Sequence, residues 1–180
     1  MSPPSPEILQ RARRVRLMVF DVDGVLTDGV LWYGAQGEMF KAFHTLDGHG
    51  LKMLAASGVR TAILSGRESP AVARRAAELG VAHVLQGIED KGPALAGLLT
   101  ELGLAAADAG CMGDDVVDLP MLGRCGFACA PAGAHGEVLR RVHYVSVAPA
   151  GRGAAREVCD LLMRAQGTLA GAIARYDPGS

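Results

Sequence analysis

Four apolar residues, Leu17-Met18-Val19-Phe20, run without interruption into Asp21-Val22-Asp23-Gly24. A stretch this short and without polar alternation reads as a parallel strand buried on both faces, because it leaves no room for a helix. It stops at two carboxylates two residues apart. Charges so placed repel one another and lose hydration at the strand end unless a cation sits between them. The chain is therefore expected to place this strand end on an open, ligand-bearing edge of a parallel sheet.

The remaining sequence supplies such a sheet. Residues 30–33 and 38–43 read as two strands about the turn Gly34-Ala35-Gln36-Gly37, a β-hairpin. Trp32, Tyr33, Phe40 and Phe43 concentrate there in a chain with only 4% aromatic residues. They either cap the local core or form a contact surface for another subunit. Beyond the hairpin, helices expected over 48–57, 70–79, 91–102, 116–122, 137–141 and 154–166 alternate with strands over 60–65, 82–86, 109–112 and 127–130, with an edge strand at 144–145. Ser69 and Pro70 are start signals, and Gly58 and Gly80 stop signals. Val158, Leu161, Leu162 and Ala165 share one helical face. This alternation predicts an α/β fold, a doubly wound parallel sheet with right-handed crossovers. The expected division is a tail and short helix over 1–14, one domain over 15–167 that includes the hairpin 30–43, and a C-terminal tail over 168–180.

Composition narrows the class. At 180 residues with 49% hydrophobic and 21% charged residues, the chain suits one soluble domain with a full core. A net charge of -1 offers no field for nucleic acid or an anionic membrane. Cys111, Cys125, Cys129 and Cys159 form no C-x-x-C pair and read as free thiols of a reducing cytosol. The Pro/Ser-rich start lacks the basic and apolar regions of a signal peptide, and no apolar run has the length of a membrane span. A cytoplasmic location is expected.

If ligands bind at the strand ends, polar groups should gather there. The first strand ends in Asp21 and Asp23, the second in Ser65-Gly66-Arg67, and the fourth in Asp114, Asp115 and, one turn on, Asp118; Lys91 follows the third. Clustered carboxylates are a hard-oxygen site suited to magnesium (Mg²⁺). An aspartate can attack phosphorus to form an aspartyl phosphate, while a hydroxyl and a lysine hold the phosphoryl oxygens. A second acid two residues on can protonate the leaving alcohol and later activate water.

These residues resemble the four motifs of the haloacid-dehalogenase-like phosphatases: Asp21-Val22-Asp23-Gly24-Val25-Leu26-Thr27-Asp28, Ser65, Lys91 and Gly113-Asp114-Asp115 with Asp118. Lys41-Ala42-Phe43-His44-Thr45-Leu46-Asp47-Gly48, Leu85-Gln86-Gly87 and residues 151–160 are similar to the branch that acts on 3-deoxy-D-manno-octulosonate 8-phosphate, in lipopolysaccharide precursor biosynthesis. The resemblance implies Asp21 as nucleophile and Mg²⁺ ligand, Asp23 as acid/base giving its backbone carbonyl to the metal, and Asp114 as the remaining protein ligand. Asp115 or Asp118 would support the ligands from behind. It also implies a homotetramer in which the hairpin stands in for a cap domain. His44, Thr45, Leu46, Asp47, Gly48 and Lys52 would help hold the sugar acid with Arg67, and Arg75 would reach in from an adjacent subunit. Paired arginines suit a substrate carboxylate.

Three positions depart from the branch pattern: His44 stands where Asn is usual, Leu46 where Arg is frequent, and Ser65 replaces Thr while keeping the hydroxyl. A related branch acts on nine-carbon sialic-type phosphates and tends to carry Glu where this chain has Arg67, which favours the eight-carbon acid. Asp28 is read as fixing its loop, and His83, His135 and His143 as structural or exposed. His49 is read as a helix-start residue, and Arg74 as the solvated face of a helix. Arg152 either lines the site or satisfies loop carbonyls. A phospho-accepting receiver module is the competing class, but its acceptor aspartate would lie at the third strand end, where Gln86-Gly87 stand.

Overall fold

The structure, a computed structural model, describes residues 4–35 and 37–177. A first helix α1 (Pro6–Arg14) leads into strand β1 (Leu17–Phe20), and the hairpin strands β2 (Trp32–Gly34) and β3 (Gly37–Phe40) follow. Then come α2 (Thr45–Ala56), β4 (Arg60–Leu64), α3 (Pro70–Leu79), β5 (His83–Leu85) and α4 (Lys91–Leu102). The second half holds β6 (Ala109–Met112), α5 (Leu119–Leu122), β7 (Phe127–Ala132), α6 (Gly136–Leu139), β8 (Tyr144–Pro149), α7 (Ala154–Ala165) and α8 (Leu169–Ala174).

Six strands form one sheet in the order β5-β4-β1-β6-β7-β8, and each neighbouring pair is parallel. The hairpin stands apart as an antiparallel pair. β1 occupies the middle and is buried on both faces, as its unbroken apolar sequence requires. Met18 and Phe20 join the core beneath α1, α2 and α7, with Leu51, Leu54, Val158 and Leu162. Leu17 and Val19 join the opposite core under α4, α5 and α6, with Leu95, Leu98 and Val138. Truncating any one of the Leu, Met or Phe side chains among these to Ala would cost about 2–5 kcal/mol.

The chain folds to either side of β1, so the edge where β1, β4 and β6 end is a switch point in the strand order. Strands β1 and β4 to β7 lie close to their expected positions, but several other elements differ. α2 begins at Thr45, a turn earlier than expected, because His44 caps it: Nδ1 accepts from the N–H of Leu46 at 3.3 Å. The expected helix over 116–122 is a 3₁₀ turn, Val116–Asp118, followed by one turn of α5. β8 runs to Pro149 rather than stopping after two residues. The hairpin strands are shorter and shifted, and Gln36 of the expected turn lies outside the described residues. The C-terminal tail expected over 168–180 contains α8, with Leu169 and Ala172 packed on the core. Residues 1–3 and 178–180 lie outside the described residues. Among the described residues no helix is long and apolar enough to cross a membrane.

Candidate active site

The C-terminal ends of β1, β4 and β6 open into a cleft of about 560 Å³, lined by Asp21, Asp23, Ser65, Arg67, Lys91 and Asp114 among others. Each wall follows from local sequence. The N–H of Asp21 donates to Met112 O at 3.0 Å, extending the β1–β6 ladder to the first carboxylate. The backbone then curls, with Val25, Leu26 and Thr27 all donating to Val22 O. Gly24 closes the curl at φ +82, and a Cβ there would run into the Asp114 carboxylate. The Asp28 side chain fixes the following loop by accepting from the N–H of Val30 at 3.1 Å.

Lys91 sits at the first turn of α4 and is 2% exposed. Its Nζ lies 2.8 Å from Oδ1 of Asp21 and 2.6 Å from Oδ1 of Asp118. The other oxygen of Asp118 accepts the N–H groups of Asp114 at 2.9 Å and Asp115 at 3.3 Å. Asp118 is thus fully buried with both oxygens occupied, and it ties the lysine to the loop that carries Asp114. Gly113 allows the approach, since a Cβ there would lie 2.5 Å from Cβ of Asp118. Asp115 turns outward and caps the 3₁₀ turn, accepting from the N–H of Val116 at 2.7 Å.

The electrostatics favour a cation. Burial, and then the charge of Asp118, push Asp21 up to about 6 against the opposing pull of Lys91. Burial, then Asp118 and Asp21, push Asp114 up to about 7. Carboxylate oxygens of Asp21, Asp114 and Asp118 come within 4.8 Å of one another. Since Asp118 has spent both oxygens, Asp21 and Asp114 are the carboxylates suited to a metal. Both are hard donors that a divalent cation would relieve of repulsion, so the residues fit magnesium.

A second network covers Asp23. The Nζ of Lys41, its side chain 2% exposed, lies 2.6 Å from Oδ1 of Asp23 and 3.0 Å from Oε2 of Glu38. Oε1 of Glu38 accepts from the Ser69 hydroxyl at 2.7 Å, so Ser69 uses its side chain on the hairpin rather than on its helix N-terminus. Arg67 donates to the Tyr33 hydroxyl and lies 3.7 Å from Asp23 and 3.9 Å from Glu38. The sequence alone gives Lys41 and Glu38 no role. The available signal was an acid and a base three apart on an otherwise apolar hairpin.

The remaining candidates divide. Ser65 is buried at the end of β4, and its Oγ accepts from the N–H of Arg67 at 3.3 Å. Asp47 faces away from the cleft: Oδ2 accepts from Gly153 N–H at 3.0 Å and Oδ1 from Arg156 N–H at 2.9 Å. His44, Thr45 and Leu46 form the cap and first turn of α2, with Thr45 and Leu46 exposed. Gly48 packs beneath the Arg75 guanidinium of the same chain. Lys52 lines a separate hollow with His49, Arg175 and Tyr176, against α8. The structure therefore gathers Asp21, Asp23, Ser65, Arg67, Lys91, Asp114 and Asp115 at one cleft, with Asp118 buried behind it. It leaves residues 44–48, Lys52 and Arg75 outside that cleft within one chain. His143 and His135 serve the backbone, accepting from the N–H groups of Ala128 and Glu137.

No family model matches the chain. Individual proteins do. The 3-deoxy-D-manno-octulosonate 8-phosphate phosphatase KdsC of Yersinia pestis is 42% identical over 170 residues, which is 94% of this chain and 91% of that protein. A probable YrbI family phosphatase from Pseudomonas syringae superposes with a TM-score of 0.94 at 48% identity, covering 98% of this chain and 100% of the other. The 3-deoxy-D-manno-octulosonate 8-phosphate phosphatase of Moraxella catarrhalis, solved with magnesium, phosphate and KDO, gives 0.92 at 40% identity over 94% of this chain and 98% of its own. With such identity over nearly the full length of each chain, this protein belongs to the 3-deoxy-D-manno-octulosonate 8-phosphate phosphatase family of the haloacid-dehalogenase-like superfamily.

Proposed function

We infer that the protein is a magnesium-dependent phosphoric monoester hydrolase that converts 3-deoxy-D-manno-octulosonate 8-phosphate to the free sugar acid and phosphate. One observation carries this reading: Asp21 is buried between an ammonium group, 2.8 Å away, and a second carboxylate that burial and repulsion hold near 7. That arrangement provides an anionic nucleophile beside a cation site.

Asp21 attacks phosphorus and becomes the aspartyl phosphate, while the sugar oxygen departs with a proton from Asp23. Asp23 then takes a proton from water as that water attacks the same phosphorus, which frees phosphate and restores Asp21. Lys91 and the Ser65 hydroxyl hold the phosphoryl oxygens. The Ser65 hydrogen is available for this, since its oxygen accepts from Arg67 N–H. Magnesium, held by Asp21, Asp114 and the backbone carbonyl of Asp23, would offset the repulsion between nucleophile and phosphate. Arg67, whose guanidinium borders the cleft, is the group on this chain suited to the substrate carboxylate.

The same reading includes a homotetramer and a place in lipopolysaccharide precursor synthesis in the cytoplasm. The hairpin supports the assembly, because Trp32 and Phe40 stack at 5.3 Å while each stays about half exposed. Residues 44–48 and Lys52, together with Arg75 of an adjacent subunit, would complete the sugar site there. A receiver module is disfavoured by the third strand end, where Gln86 and Gly87 stand and the Gln86 side chain accepts from Ser69 N–H.

Phosphate release across eight- and nine-carbon 2-keto-3-deoxy sugar acid phosphates, with magnesium and with chelator, tests the reading. Metal-dependent turnover favouring the eight-carbon ester is expected. Preference for the nine-carbon ester would move the chain to the sialic-type reaction. Near-normal activity of Asp21→Asn would remove the nucleophile assignment.

A further inference from the structure

A lysine on a two-stranded hairpin ordinarily extends into water, because its ammonium group is strongly hydrated. Lys41 does not. It follows β3 directly, its side chain is 2% exposed, and Nζ is shared between Oδ1 of Asp23 and Oε2 of Glu38. Glu38 is anchored in turn by the Ser69 hydroxyl at 2.7 Å, and Ser69 N–H donates to the Gln86 side chain at 2.9 Å. The lysine is thus mounted on a path that joins the hairpin to the loops after β4 and β5.

The two oxygens of Asp23 have different surroundings. Oδ1 receives the 2.6 Å bond from Lys41. Oδ2 faces Nε of Arg67 at 3.7 Å, too far for a hydrogen bond. These two atoms are the buried side-chain nitrogen and oxygen atoms without a hydrogen-bond partner among the described residues. A buried oxygen left unpaired beside a reaction cleft is a place where a proton or a substrate atom can be received.

We propose that Lys41 is a positioning residue that clamps Oδ1 of Asp23, so that Oδ2 alone moves the proton in both half-reactions. The proposal rests on the reading of Asp23 as acid/base given above. In the first half, the Asp21 carboxylate forms a bond to phosphorus, the bond from phosphorus to the sugar oxygen breaks, and the proton on Oδ2 passes to that oxygen. In the second, water bonds to phosphorus and gives its proton to Oδ2, the aspartyl oxygen leaves phosphorus, and phosphate departs. Without the clamp the carboxyl group can rotate about its Cβ–Cγ bond, and neither oxygen stays aligned with the leaving atom.

The leaving group separates this role from a structural one. A sugar alkoxide must be protonated as it departs, whereas 4-nitrophenolate leaves unaided. The informative quantity is kcat/KM, which reports the steps up to aspartyl phosphate formation. For Lys41→Met we expect a loss of about 100-fold on the sugar acid phosphate, the order of general-acid assistance, and under about 10-fold on 4-nitrophenyl phosphate. Lys41→Arg, which keeps a charged donor, should recover most of the loss, and Asp23→Asn should show the same selectivity. The double variant Lys41→Met/Asp23→Asn should be no worse than Asp23→Asn alone.

Equal losses on both substrates in Lys41→Met, or no loss on either, would overturn the proposal. Selective loss in Asp23→Asn under that outcome would leave the acid/base assignment standing. An Asp23→Asn variant indifferent to the leaving group would overturn both. If Lys41→Met does not fold, Lys41→Arg decides: failure to retain the sugar-phosphate preference, in a variant that unfolds like the parent, counts against the clamp.

Discussion

The Nζ of Lys91 lies closer to Asp118 Oδ1, at 2.6 Å, than to Asp21 Oδ1, at 2.8 Å. The lysine proposed to hold phosphate is therefore itself held from behind by a fully buried carboxylate. Burial works against its charge, yet Asp21 and Asp118 more than offset that, and Lys91 is held above its ordinary range. The lysine is a fixed cation at the strand ends because Asp21 and Asp118 hold it from two sides.

Asp118→Ala should consequently cost about 3–5 kcal/mol, because it leaves a buried ammonium with one partner and strips the N–H groups of Asp114 and Asp115 of their acceptor. Asp118→Asn, which keeps an oxygen acceptor, should cost less. Urea unfolding of both variants, with magnesium removed, measures the difference. A loss under about 1 kcal/mol in Asp118→Ala would show that water replaces the buried partner.

Much of this candidate site is legible in the sequence because carboxylates at the end of a buried parallel strand are costly unless something pairs with them. Asp21, Asp114 and Lys91 each lie next to the strand or helix whose pattern announces it. Lys41 and Glu38 escaped because their partners, Asp23 and Ser69, come from other segments and no periodicity links them. The start of α2 escaped for a related reason. Gly48 and Gly50 resemble helix breakers, yet both are close approaches: Gly48 lies under the Arg75 guanidinium, and a Cβ on Gly50 would meet the Arg156 backbone at 3.0 Å. Only the packing of α3 and α7 on α2 explains those glycines. The resemblance implies a substrate role for Asp47, while within one chain its oxygens accept from the start of α7, a pairing that no local pattern announces.

The raised carboxyls at the candidate cation site set a pH dependence. Asp21 at about 6 and Asp114 at about 7 both exceed their ordinary 3.8, so the folded, metal-free protein binds these protons more tightly than the unfolded chain does. Below about pH 4 both states are protonated and the two groups cost nothing. The cost grows as pH rises from about 4 toward 6 for Asp21 and toward 7 for Asp114, and is complete above that. With chelator present, the Tm should fall between pH 5 and pH 8, and less so in Asp21→Asn. Magnesium should raise the Tm more at pH 8 than at pH 5.5, because protons compete for the same oxygens at the lower pH. A magnesium shift of equal size at both would contradict the ligand assignment.

Asp47 anchors a helix end. Its two oxygens accept from Gly153 and Arg156, one just before and one in the first turn of α7, and the pairing joins α2 to α7 over 106 and 109 residues of chain. Charged acceptors on exposed helix termini are worth little, but this one is 2% exposed. Asp47→Ala should destabilise the fold by about 2–3 kcal/mol, with amide exchange rising first at residues 153–156. An unchanged unfolding midpoint would return Asp47 to the sugar-binding role that its motif suggests.

Gly24 offers the sharpest test of how backbone shape sets the metal site. Its φ of +82 already disfavours any side chain, and a Cβ would collide with the Asp114 carboxylate. Gly29 has nearly the same φ, +80, but a Cβ there meets its nearest neighbour, Cα of Gly24, at 3.5 Å, an ordinary contact. The two alanine variants thus share a backbone cost of about 1–3 kcal/mol and differ in the collision. Gly24→Ala should weaken magnesium binding by about 10–100-fold, the scale seen when a ligand's support is displaced. Gly29→Ala should lose stability with a much smaller change in metal affinity. Titrating magnesium against thermal stability in both variants separates the two effects. If Gly24→Ala bound the metal as tightly as Gly29→Ala, Asp114 would have room to move, and its assignment as a ligand set in place by the glycine would fall.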